Sequence, residues 1–260
     1  MSEDAPLRTT RRGSVAELVL TNGRRRNPLG SSTLRALAAE LDSLAADEAV
    51  RAIVVAAEGP AFSAGHDLAE MRDRDDAFYT ELFDLCVDVM SALHRVPQPV
   101  IAKVDGVATA AGCQLVASCD LAVASSRASF ATPGVRIGLF CSTPMVPIVR
   151  SVGPKRTLEL LLTGEPIDAA TAAEWGLVNR VVEPDELDAA VDELVAQILR
   201  WSSATLAIGK EAFYRQLGRP EDDAYAMMAA VMAANASHVD AQEGIAAFCD
   251  KRDPEWRGRR

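Results

Sequence analysis

An α/β fold is predicted by three features of this 260-residue chain. Short, mainly apolar runs recur at 51–57 (RAIVVAA), 100–104 and 121–124. Runs of this length and content mark strands covered on both faces, as in parallel sheets. Segments with 3.6-residue apolar spacing separate them, giving the order β-α-β-α-β-α.

The elements follow in order. Residues 18–20 end a strand, and Asn22-Gly23 turns the chain out of it. A loop with Arg24, Arg25 and Arg26 closes on Asn27-Pro28-Leu29, and 32–44 carries helical spacing at Leu34, Leu37, Leu41 and Leu44. After the strand at 51–57, residues 62–67 (FSAGHD) read as a turn and 75–93 as a helix. Val96-Pro97-Gln98-Pro99 keeps the backbone extended into the strand at 100–104, because the residue before a proline avoids the helical region. Asp105-Gly106 turns the chain, and a helix of small residues runs from about 109 to 119. Strands at 121–124 and 129–132 follow. From Pro144 helical spacing dominates, apart from 178–182. Residues 1–13 are expected to be flexible, 14–200 to form the mixed core, and 201–260 a helical region. No GxGxxG follows the first strand, which argues against a dinucleotide-binding site.

Composition narrows the function. The net charge of −10 argues against a nucleic-acid surface, and no apolar run is long enough for a membrane helix. Residues 1–13 lack an apolar stretch behind Arg11 and Arg12, so no secretory signal is expected. Five cysteines without a CxxC, and three histidines without HExxH spacing, indicate reduced thiols and no metal site. A cytoplasmic protein is the expectation.

Two stretches share one physical character. In Ser63-Ala64-Gly65-His66-Asp67 the glycine permits a sharp turn that leaves the next backbone N–H free. In Ala110-Ala111-Gly112-Cys113 small residues open a helix, whose first N–H groups lack internal partners and sit at the positive end of its dipole. Two such donors converging on one oxygen make an oxyanion hole. Taken alone, the two stretches also fit ordinary tight turns.

Five segments in order carry a family resemblance: Asn27-Pro28-Leu29, FSAGHDL at 62–68, PVIAKVDGVATAAGCQLVASCDLAVAS at 99–125, LTGEPIDAATAAEWGLVNRVV at 162–182 and EGIAAFCDKRDPEW at 243–256. Together they resemble the crotonase, or enoyl-CoA hydratase/isomerase, superfamily. The resemblance implies a spiral of ββα turns with a C-terminal helical trimerisation region, assembled as a homotrimer or hexamer. It implies an acyl-CoA thioester as substrate and no further cofactor. The thioester carbonyl would lie between the N–H of His66 and that of Ala111, with the resulting enolate held there. Ala64, Gly65, Asp67, Leu68 and Gly112 would border it. Arg25 and Arg26 would approach the CoA phosphates, and Phe248 and Lys251 would reach the CoA of a neighbouring subunit.

The sequence departs from that pattern at two positions. Hydratases of the superfamily carry a glutamate three residues beyond the second donor, where this chain has Gln114. They carry another about twenty residues later, where it has Gly134. Glutamine orients water but does not titrate, and glycine does neither. In this respect the stretch most resembles the enoyl-CoA hydratase domain-containing protein 3 group, which likewise lacks both. Fast hydration is therefore not expected, and restoring both glutamates is expected to raise it. Further readings stay open. A β-carboxyacyl-CoA decarboxylase would need the hole alone, and a silent acyl-CoA-binding protein would turn nothing over. Substitute groups include the His66 imidazole, Cys141 as a nucleophile, and Tyr79, Glu81 or Asp84 on the helix above the acyl pocket. Against these stand packing for His66 and Cys141, and a solvated face for the helix.

Overall fold

The computed structural model describes residues 5–258. An antiparallel hairpin, β1 (Leu7–Arg12) and β2 (Val15–Leu20), leads to helix α1 (Ser31–Ala46). One pattern then repeats three times: a strand of the large sheet, a short strand of a second sheet, and a helix. The first turn is β3 (Ala52–Ala57), β4 (Ala61–Ser63) and α2 (Asp76–Arg95). The second is β5 (Val100–Val104), β6 (Val107–Thr109) and α3 (Ala111–Ser118). The third is β7 (Leu121–Ser125), β8 (Ser129–Ala131) and α4 (Met145–Val152). Beyond it come α5 (Pro154–Thr163), β9 (Ile167–Asp168), α6 (Ala169–Trp175) and β10 (Arg180–Val182). The chain ends in α7 (Leu187–Leu199), α8 (Ser203–Gln216), α9 (Glu221–Ala236) and α10 (Val239–Asp250).

The large sheet runs β1-β2-β3-β5-β7-β10 and the small one β4-β6-β8-β9. Apart from the first pair in the large sheet and the last in the small one, neighbouring strands are parallel. The apolar run of β3 is explained by two cores. Ile53 and Val55 enter the main core with Leu34, Leu37 and Val89, while Ala52 and Val54 face Leu187, Val191 and Leu194 of α7. Side chains alternate across a strand, so a strand covered on both faces needs apolar residues at every position.

The parallel small sheet positions the functional turns. β4 pairs with β6 and β6 with β8, in registers Ser63↔Ala108 and Ala108↔Phe130. The segments leaving these strands at 64–66, 110–111 and 132–134 therefore emerge side by side.

Several expectations are corrected here. Of the N-terminus expected to be flexible, residues 7–12 are a paired strand, and 1–4 lie outside the described residues. The short strands β4, β6 and β9 were not anticipated, because two or three residues carry no period. Beyond residue 200 the described elements are all helices, and they make tight contacts with the core. Lys210 Nζ lies 2.6 Å from the Asp120 carboxylate and donates to the carbonyls of Leu93 and Gln98, while Tyr214 donates to Asp120 and its ring stacks on His94. Helix α8 is thereby fastened to α2 and the core. By contrast, none of the residues of α9 is buried. Among the described residues, no helix is long and apolar enough to cross a membrane.

Four of the five cysteines are buried. Burial pushes the thiols of Cys86 and Cys113 up to about 12 and raises that of Cys119 as well. The thiolate is the reactive form. Brief treatment with iodoacetamide at pH 8 is therefore expected to spare these three in the native protein and modify all of them in urea. Mass spectrometry of tryptic peptides reads the outcome. Native labelling of Cys113 would show that α3 opens locally.

Candidate active site

The turn after β4 is held by the loop that precedes α1. Ala64 N–H donates to the Arg26 carbonyl, Leu29 N–H to the Gly65 carbonyl, and Ser63 Oγ–H to the Asn27 carbonyl. Asn27 is buried, and its Nδ2 donates to the carbonyls of Glu58 and Ala61. The Asn27-Pro28-Leu29 segment thus acts as a brace for the His66 turn.

Two glycines permit the close approach of the second turn. At Gly65, with φ +88°, an added Cβ would lie 2.9 Å from Ala110 Cβ, 3.0 Å from Thr109 O and 3.2 Å from Ala111 N. At Gly112 it would lie 2.3 Å from Ser63 O. The two small-residue stretches therefore pack backbone against backbone. Among the described residues, no acceptor meets the N–H of His66 or of Ala111. Both residues line one cavity of about 410 Å³, together with Ala64, Leu68, Gly134 and Cys141.

Ala110 bears strain at the entrance to α3. Its φ of 51° and ψ of −119° match the first central position of a type II′ turn, which favours glycine. A non-glycine residue held there costs about 1–3 kcal/mol, and glycine gives back part of the gain through a looser unfolded chain. Ala110→Gly is expected to stabilise the protein by about 1 kcal/mol, raising Tm by roughly 2–4 °C. A thermal melt checks it, and a lowered Tm would contradict the strain.

The other site residues divide. Asp67 does not cap a helix. Its carboxylate accepts from Ala69 N–H within a tight turn and receives Arg25 Nη2 at 2.8 and 3.0 Å. Arg25 is therefore already paired, whereas Arg26 is exposed and ends the short turn at 23–25 in a left-handed conformation. Gln114 does not line the His66 cavity. It is buried one turn along α3, where its Oε1 accepts from the Cys86 thiol at 3.9 Å, and it lines a neighbouring cavity. Phe248 is 84% exposed, and Lys251 ends α10; neither lines the cavity of its own chain.

The proposed substitutes are poorly placed as titrating groups. His66 Nδ1 lies 3.0 Å from the Leu29 carbonyl, its ring packs edge-on against Phe83, and Nε2 is sealed without a partner. Burial lowers its pKa, keeping the ring neutral. Burial raises the Cys141 thiol, so a thiolate is disfavoured. Glu81 pairs with Arg35 on the surface, Tyr79 donates to the Met71 carbonyl, and Asp84 lies on that same outer groove. The solvated-face reading of that helix is the one the structure supports.

Sequence reasoning missed the cavity's far wall, built by Ile137, Leu139 and Phe140 in the loop before α4. The available signal was an apolar run bracketed by Pro133 and Pro144 with no periodicity.

Comparison with known proteins gives a consistent picture. The enoyl-CoA hydratase/isomerase family model matches residues 10–259. Enoyl-CoA hydratase domain-containing protein 3, mitochondrial, from Rattus norvegicus is 44% identical over 98% of this chain and 85% of that protein. The crystal structure of the human enoyl coenzyme A hydratase domain-containing protein 3 superposes with a TM-score of 0.94 at 43% identity, covering 96% of this chain and all of that one. An enoyl-CoA hydratase structure from Mycobacterium smegmatis gives 0.95 at 48% identity, covering 96% and 98%. The rat and human relatives are named mitochondrial, which overturns the cytoplasmic expectation. Reduced thiols suit either compartment, so cysteine usage could not separate the two. Family match, relatives and superposed structures agree with the spiral of ββα turns: the chain belongs to the enoyl-CoA hydratase/isomerase, or crotonase, family.

Proposed function

We propose that this protein binds an acyl-CoA thioester with its carbonyl between the N–H groups of His66 and Ala111, and stabilises the enolate formed there without the two-glutamate hydration machinery. The observation that carries this reading is the packing of the Gly65 turn against Ala111 N, which brings two unpaired donors to one cavity. Each such donor is worth about 2.7–4 kcal/mol in the transition state of a reaction that develops an oxyanion. The CoA nucleotide lies along the arginine loop, with Arg26 and the remaining donors of Arg25 available to phosphate.

One observation favours decarboxylation of a β-carboxyacyl-CoA as the second reading. Among the described residues no aspartate or glutamate lines the His66 cavity, and its histidine and cysteine are held neutral. Loss of CO₂ generates the enolate directly and needs no base.

Calorimetric titration with acetyl-, crotonyl- and long-chain acyl-CoA tests the site. Binding of none of them at millimolar concentration would sink the reading. Turnover assays with crotonyl-CoA and malonyl-CoA then separate the reactions, and tight binding with no turnover of either would favour a silent acyl-CoA-binding protein.

Assembly as a trimer or a hexamer of two trimers belongs to the same proposal. Helix α9 buries nothing, and Tyr225, Met232, Ile245 and Phe248 on α9 and α10 are all more than half exposed. Apolar helix faces of this extent mark a protein interface. In such an assembly Phe248 and Lys251 serve a neighbouring subunit's CoA. Light scattering should give three or six times the 27.7 kDa chain mass; a monomer at micromolar concentration would contradict it.

A further inference from the structure

A second cavity, of about 280 Å³, shares Thr143 with the His66 cavity. Along α3, Ala111 lines the first and Gln114 the second, about 4.5 Å further along the helix axis. Four or five carbons counted from a carbonyl at Ala111 N–H are long enough to span that distance.

The lining of this second space sets polar side chains among the apolar Val87, Met90, Val146 and Pro147, and carries no negative charge among the described residues. Ser91 and His94 come from α2, Gln114 and Ser118 from α3, Thr143 from the loop before α4, and Arg150 from α4; no aspartate or glutamate lines it among the described residues. The Gln114 oxygen is engaged by the Cys86 thiol, which leaves the amide N–H groups for the cavity. Arg150 donates from Nη1 to the Val146 carbonyl one turn back, and no carboxylate pairs with it among the described residues. The nearby carboxylate of Asp120 is taken by Lys210 and Tyr214. His94 is kept neutral chiefly by burial; Asp120 opposes this, Lys210 and Arg150 reinforce it, and its hydrogen bond to Ser118 opposes it. A chamber with several donors, a positive end and no acid of its own matches a carboxylate in chemistry.

We propose that this chamber seats a carboxylate at the far end of the acyl group, so that the preferred ligands are CoA thioesters of short dicarboxylic acids. The inference rests on the acyl-CoA reading above and names its substrate class. The carboxylate held here is distal and remains on the product. Charge-assisted hydrogen bonds stabilise the anion, whereas a carboxylate about to leave as CO₂ is favoured by their absence.

Paired calorimetric titrations with glutaryl-CoA and pentanoyl-CoA, which differ only in a terminal carboxylate against a methyl group, test it. Wild-type protein is expected to bind glutaryl-CoA at least about tenfold more tightly. Arg150→Met should bring the ratio close to one, and Arg150→Lys should keep part of it. Raising NaCl from 50 to 500 mM should shrink the wild-type ratio without any variant being needed. A wild-type ratio near one, or a preference that survives in Arg150→Met, would overturn the carboxylate chamber while leaving the acyl-CoA reading intact. Failure of wild type to bind either thioester would overturn both.

Discussion

Gly65→Ala is expected to disable the site while leaving the rest of the fold in place. The new methyl group has no free space: Ala110 Cβ, Thr109 O and Ala111 N lie 2.9, 3.0 and 3.2 Å from it, and φ is +88°. Backbone strain and overpacking each cost about 1–3 kcal/mol. The cheapest relief is to spread the His66 turn away from the Ala111 helix start, and that spreading separates the two donors. A displacement near 1 Å in a positioned group costs about 10²-fold in rate. Turnover of any thioester the wild type processes should fall by that factor or more. Acetyl-CoA should also lose its binding advantage over S-ethyl-CoA, which lacks the carbonyl. Gly218→Ala is the matched control, since Gly218 also has positive φ (+77°) but open space around it. It should lower stability modestly and leave thioester binding unchanged. A Gly65→Ala protein with full acetyl-CoA preference would show that the carbonyl does not sit between these turns.

The legibility of this chain in its sequence depended on how local each signal was. The buried strands were readable because β3, β5 and β7 are covered on both faces and are apolar at nearly every position, the half-buried Lys103 of β5 being paired with Glu17 and Asp188. β1 was missed because Leu7–Arg12 (LRTTRR) is a polar edge strand, fixed by pairing with β2 rather than by its own composition. The two functional turns were legible as small-residue stretches, and their neighbours were not. That Ala64 and Gly65 are braced by residues 26–29 is a long-range fact, written in hydrogen bonds between segments some 37 residues apart. The direction faced by Gln114 was equally hidden. Helical spacing places it one turn from Ala111, but only the packing of α2 and α4 on α3 decides which cavity it enters.

Introducing glutamate at both position 114 and position 134 is expected to destabilise the protein rather than produce a hydratase. The sequence suggested the opposite, because Gly134 looked like a carboxylate deleted from an otherwise retained site. Here the structure supplies a steric reason. A Cβ at Gly134 would lie 2.0 Å from the Leu139 carbonyl oxygen and 2.8 Å from Cys141 Sγ. The same backbone closes a tight loop, with Leu139 N–H donating to the Gly134 carbonyl and Gly138 in the left-handed region. Even alanine collides with main chain there, and main chain cannot rotate away as a side chain does. Gly134→Glu should cost at least about 1–3 kcal/mol, seen as a lower urea midpoint, because the loop over residues 137–143 must lift. Gln114→Glu should be milder, since Ser118, Thr143 and Arg150 line the same cavity and can donate to the new carboxylate. Hydration needs both ends of the added water handled in one transition state, so a single seated carboxylate brings little. Loss of enoyl-thioester absorbance with crotonyl-CoA, measured for wild type, both single variants and the pair, decides the matter. A double variant that hydrates crotonyl-CoA at native stability would mean that the 137–143 loop moves freely, and that only side chains separate this site from a hydratase.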